Sequence, residues 1–162
     1  VEQVFDQGIG DLFIVRVAGN VAQTNEIGSI EYGTAHLGTP LLLVLGHEAC
    51  GAVTAVVEGA EVHGSIPKLI APIREPAAAA RTSHPEAQGA ELVKVAVEEN
   101  VRHSMASILA GSAAVRERVA AGKLHVIGGV YDLATGTVRW LGAHPEQARL
   151  LAPATPAAGS GH

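Results

Sequence analysis

The run Leu41-Leu42-Leu43-Val44-Leu45-Gly46 constrains this chain more than any other stretch, because it is apolar at every position and shows no alternation between two faces. Strands of this kind are covered on both sides, as in the interior of parallel sheets with helices packed over each face. Directly after it come His47-Glu48-Ala49-Cys50, which set a histidine three residues from the chain's one cysteine. A buried strand that ends in an imidazole and a thiol looks like half of a zinc site, placed at the carboxyl end where α/β sheets put their ligands.

Composition points the same way. The 162 residues suit one domain with a sizeable core. Hydrophobic residues make up 48% of the chain but aromatics only 3%, so the core is built from Ala, Val, Leu and Ile, which favours α/β over an aromatic-rich β-sandwich. The net charge of −5 and the scatter of the 11 Lys and Arg residues exclude a nucleic-acid surface and leave a small molecule or a protein as partner. A single cysteine forms no internal disulfide, and the reducing cytoplasm fits it best. No segment reaches the roughly 18 apolar residues of a membrane span, and the first residues lack the basic start and apolar stretch of a signal peptide. A start at Val1 rather than at Met suggests a processed or truncated product.

Residues 12–17 are rich in β-branched and aromatic side chains and read as a buried strand closed by Ala18-Gly19-Asn20. A helix follows over about 25–37, with Asn25 or Thr24 as N-cap and Gly38 as stop, and then the strand over 41–45. Strand, helix, strand in this order predicts a parallel pair joined by a right-handed crossover. Helical patterns continue from Cys50 to about 57, over 65–80 and over 90–109, and Ser112 is set to cap a short helix that stops at Gly122. Cys50 thereby falls near a helix N-terminus, where the backbone dipole favours negative charge. Residues 124–131 and 137–141 read as two strands joined by a hairpin-type loop. The domain is placed at 1–150, with 151–162 a disordered tail rich in Pro, Ala and Gly.

Several activities fail on spacing. A metalloprotease needs a second histidine four positions after His47, and that place is Gly51. Gly8-Ile9-Gly10 lacks the third glycine of a dinucleotide fingerprint, since position 13 is Phe13. There is no phosphate-binding loop and no Gly-x-Ser-x-Gly elbow. A His-x-x-Cys pair taken alone is a weak signal, compatible also with a buried structural cysteine beside an ordinary polar histidine.

The wider context is more specific. Gly46-His47-Glu48-Ala49-Cys50-Gly51-Ala52-Val53, with residues 10–20 ahead of it, resembles the β-class carbonic anhydrases, and so do residues 4–8, 37–40, 99–101 and 124–133. The likeness runs to about Leu141. It implies an α/β fold with a mainly parallel sheet flanked by helices, and reversible hydration of carbon dioxide to bicarbonate by zinc-bound hydroxide. It implies His47 and Cys50 as zinc ligands and a homodimer or larger homo-oligomer. Gln7 matches a glutamine that hydrogen-bonds bicarbonate from the neighbouring subunit. Asp11 reads more simply as a turn cap, Arg16 as a surface charge and Glu48 as an exposed residue. None of His36, His63, His84, His103, His125 and His144 has a spacing that points it at His47.

One part of the family pattern has no counterpart. The first zinc-binding cysteine of the family sits in a Cys-x-Asp-x-Arg motif, on an interior strand between those matching 12–17 and 41–45, and this chain contains no such motif. The resemblance places that motif, with the catalytic aspartate and arginine it carries, upstream of Val1, so no residue of this chain is assigned either role. One family strand is therefore expected to be missing from the sheet interior. Either the two strands close up, another segment inserts, or the chain is unstable alone. Two function classes remain: a zinc carbonic anhydrase, or a non-catalytic carbonic-anhydrase-like binding or assembly module.

Overall fold

Parallel pairing is what the apolar run achieves first. In the computed structural model, which describes residues 1–152, it forms strand β1 (Leu41–His47) and pairs in parallel with β2 (His125–Tyr131), in register from Leu41 opposite His125 to His47 opposite Tyr131. A hairpin at Asp132–Gly136 returns the chain as β3 (Val138–Gly142), antiparallel to β2, which completes a three-stranded sheet in the order β1-β2-β3. Asp132 shapes that turn: its carboxylate accepts the N–H groups of Ala134 and Thr135, and the Thr135 side chain together with these backbone bonds holds its pKa below the ordinary value.

The helices are α1 (Thr24–Glu31), α2 (Gly51–Glu58), α3 (Ile66–Ile70), α4 (Arg74–Ser83), α5 (Gly89–Gly111), α6 (Ala113–Ala120) and α7 (Gln147–Leu151). Helix α5 is central because Leu92, Val93, Ala96, Val97, Val101, Met105 and Ile108 recur at helical spacing and are all buried. It lies close on the sheet because two strand positions carry no side chain. A Cβ on Gly46 would meet Val101 at 2.7 Å, and one on Gly128 would meet Val101 and Met105 at 2.9 Å. Helix α1 takes Gln23, whose N–H is accepted by Glu26, as its N-cap rather than Thr24 or Asn25, and it widens into a π-turn over Tyr32–His36. Ser112 caps α6 as predicted, accepting the Val115 N–H at 3.1 Å. Helix α2 stops at left-handed Gly59, and the Arg81 guanidinium donates to its Val57 carbonyl.

Two expectations need correction. Residues 12–17 form no strand; they run extended, with Leu12, Ile14 and Val17 half-buried and Phe13, Val15 and Arg16 exposed, but pair with no strand. The predicted parallel pairing of this stretch with β1 is absent for the same reason. A strand exists only through its ladder, and among the described residues none lies between the two segments. Among the described residues neither closure of the two segments into a pair nor insertion of another strand beside β1 is seen. The second correction concerns β1 itself. Val44 and Gly46, on the α5 side, are buried, whereas Leu43 and Leu45 on the other face are only half-buried and Leu41 is exposed. The strand is thus covered well on one face only. The predicted tail over 151–162 falls almost wholly outside the described residues.

Candidate metal centre

The end of β1 is shaped by three consecutive backbone features. The Glu48 N–H donates to the Tyr131 carbonyl at 2.9 Å and carries the β1–β2 ladder one residue past His47. Ala49 then takes a left-handed conformation (φ 50°), uncommon for a residue with a side chain, and turns the chain sharply. Cys50 follows as the N-cap of α2 and accepts the Thr54 N–H on its carbonyl at 2.8 Å. Strand and helix are thereby joined with His47 exposed and Cys50 buried, 5% of its surface remaining accessible.

His47 is oriented by its own turn. Its Nδ1 lies 2.9 Å from the Glu48 carbonyl oxygen. A carbonyl only accepts, so Nδ1 carries the proton and Nε2 keeps the lone pair a metal requires. This arrangement, one ring nitrogen donating to a carbonyl and the other left basic, is the usual outer-sphere support of a metal-binding histidine. An imidazole and a thiol are a donor pair suited to zinc, and they fill two of four tetrahedral positions. Among the described residues no three His, Cys, Asp and Glu side chains converge on one point, so no third donor joins them.

The other predicted site residues lie elsewhere. Gln7 is exposed, and its Nε2 donates to the Phe5 and Asp6 carbonyls at 2.8 and 3.1 Å, which ties it to its own turn rather than to His47 or Cys50. Asp11 caps that turn by accepting the Gly8 N–H at 2.9 Å. Glu48 is half-buried rather than exposed, because its backbone belongs to the sheet. Val1, the residue ahead of which the resemblance placed the family's aspartate and arginine, is exposed, and its carbonyl accepts the Val4 N–H at 3.0 Å.

Sequence reasoning missed the polar group beneath the site. Asn100, in the apolar stripe of α5, is 1% exposed and its Nδ2 donates to the Gly19 carbonyl at 2.7 Å and to Asn20 Oδ1 at 3.3 Å. The Asn20 amide reaches Ser104 Oγ at 3.5 Å, the outer limit of a hydrogen bond. The available signal was an amide and a hydroxyl four residues apart within an otherwise apolar helical face. A separate cleft between α4, α5 and α7, lined by Glu75, Glu99, Arg102, His103, His144 and Arg149, includes neither His47 nor Cys50.

A sequence model of the carbonic anhydrase family matches residues 1–138. The chain belongs to the β-class carbonic anhydrases. Carbonic anhydrase 2 of Mycobacterium tuberculosis is 35% identical over 139 residues, covering 83% of this chain and 65% of that protein. The β-carbonic anhydrase CafA of Aspergillus fumigatus superposes with a TM-score of 0.82 at 26% identity, over 93% of this chain and 72% of that one. A tetrameric β-carbonic anhydrase of Sordaria macrospora gives 0.75 at 25% identity, over 88% and 74%. The chain thus spans about two thirds of the length of the curated mycobacterial relative. Measured against the β-class carbonic anhydrases, the α/β architecture expected from sequence is confirmed.

Proposed function

We propose that this protein takes part in reversible hydration of carbon dioxide to bicarbonate, with zinc held in part by His47 and Cys50. The observation that carries the reading is the His47 ring, three residues ahead of buried Cys50, whose Nδ1–H is committed to the Glu48 carbonyl in a chain of this family. The chemistry supplied by bound zinc would be a water of lowered pKa, available as a nucleophile toward carbon dioxide at neutral pH. The chain's own residues do the holding. Glu48 fixes the imidazole through its backbone oxygen, and the Ala49 turn sets where Cys50 starts α2. Gln7 is assigned to bicarbonate binding from a neighbouring subunit, which requires its amide to leave the Phe5 and Asp6 carbonyls.

Self-association into a homodimer or larger oligomer belongs to the same reading. Leu41, Phe13, Tyr32 and Leu37 are exposed apolar side chains of a kind that a second copy would cover, and the Sordaria relative is a tetramer. The lone buried thiol suits a reducing, cytoplasmic compartment, and no helix among the described residues is long and apolar enough to cross a membrane.

Complete structural zinc sites bind with about 10–16 kcal/mol, and two donors supply only part of that, so the test uses excess zinc. Hydration of carbon dioxide is followed for the parent protein, Cys50→Ser and His47→Ala. A zinc-dependent rate that both substitutions remove is the expected result. A parent rate no higher than that of Cys50→Ser would replace this reading with the non-catalytic binding or assembly module, which the two-donor set favours.

A further inference from the structure

The turn over Ala18–Asn20 packs beside a near neighbour of each residue assigned to zinc, Gly46 ahead of His47 and Ala52 after Cys50. Gly19 and Asn20 are both left-handed, with φ of 71° and 43°. A Cβ on Gly19 would meet the Ala52 Cβ at 3.2 Å, in the first turn of the helix that Cys50 opens. On the other side, a Cβ on Gly46 would come within 3.6 Å of Asn20 Oδ1, one residue before His47. Backbone bonding inside the turn is slight, with Asn20 N–H to the Val17 carbonyl at 3.2 Å. Its shape is fixed from α5, where both bonds of the Asn100 Nδ2 end on Gly19 and Asn20.

A buried amide in an apolar stripe is costly unless its bonds are made. All the side-chain hydrogen bonds of Asn100 run to this turn, and its Oδ1 has no partner among the described residues. Helix packing by itself would be served as well by an apolar residue here. We propose that Asn100 is a positioning residue for the metal centre: through the left-handed Gly19–Asn20 turn it fixes the backbone on which His47 and Cys50 are spaced. The inference rests on the assignment of those two residues as ligands.

The deciding readout is the tautomer of His47 in the metal-free protein, from the nitrogen chemical shifts of its ring. The parent carries the proton on Nδ1. In Asn100→Ala, and in Asn20→Gly, which keeps the left-handed backbone and removes the acceptor, the Nδ1–H form gives way to a mixture with the Nε2–H form. Cobalt(II) affinity, measured alongside, falls about tenfold or more in both, the size of a lost outer-sphere support. Val115→Ala, a core truncation in α6, lowers stability and leaves the His47 tautomer at its parental state. Folded Asn100→Ala or Asn20→Gly with a parental His47 tautomer would overturn the proposal, and Asn20→Gly decides it if Asn100→Ala does not fold. Cobalt(II) binding by the parent that survives Cys50→Ser would instead contradict the ligand assignment, whatever the tautomer does.

Discussion

Gly46 shows how closely one atom can tie packing to the site. Gly46→Ala places a methyl group 2.7 Å from Val101 and beside Asn20, directly before His47. Overpacking of this kind costs about 1–3 kcal/mol, so the variant unfolds at lower denaturant and binds zinc more weakly than the parent. His144 ties a residue to pH. Burial pushes its pKa below 6.5; Glu146 and Glu99 oppose this, while Arg102 and Arg149 reinforce it, and Nδ1 accepts the Glu146 N–H at 3.0 Å. The unfolded chain therefore takes up this proton at higher pH than the folded chain does. The stability that the neutral ring contributes is complete above the ordinary value of about 6.5 and is lost as the pH falls through the lower folded one. His144→Asn keeps an acceptor for Glu146 but does not titrate. Between about pH 7 and about pH 5 its melting temperature falls less than the parent's, as scanning calorimetry would show. The candidate pair, His47 and Cys50, was legible as residue types, because strand end, histidine and cysteine lie within one short turn. The Asn20–Asn100 contact was not, since it joins residues 80 apart in the chain.

At the scale of elements, the signals that worked were local ones. Ser112 ahead of Val115 gave the start of α6, and the structure adds that its hydroxyl also donates to Glu31 on α1 at 2.6 Å. Ser112→Ala removes a cap and a link between two helices, and should lower stability by about 1 kcal/mol or somewhat more in chemical denaturation. Helix α5 and the hairpin of β2 and β3 were readable from period and turn chemistry for the same reason. Residues 12–17 were misread because composition reports the tendency to extend and not the presence of a neighbour. Their backbone amides accordingly exchange with solvent far faster than those of β2, which is paired on both sides, in a hydrogen-exchange experiment. Protection of 12–17 equal to that of β2 would mean the segment is laddered in solution.

On the scale of the whole molecule, a three-stranded sheet carries one long helix across a well-packed face and leaves apolar side chains of β1 partly uncovered on the other. The apolar run predicted burial on both faces, and nothing in a single sequence separates cover by the chain's own helices from cover by another chain. The same division runs through the site. The β1–α2 turn sets exposed His47, its ring bonded to the Glu48 carbonyl, three residues from buried Cys50, while the described residues offer no third donor. On the proposed reading these two side chains hold zinc. Its most direct test is X-ray absorption at the zinc edge on the zinc-titrated 162-residue protein and on Cys50→Ser. The expected parent spectrum has one sulfur at about 2.3 Å and an imidazole nitrogen at about 2.0–2.1 Å, with the sulfur shell gone in the variant. A zinc environment with no sulfur, or one unchanged by Cys50→Ser, would contradict it.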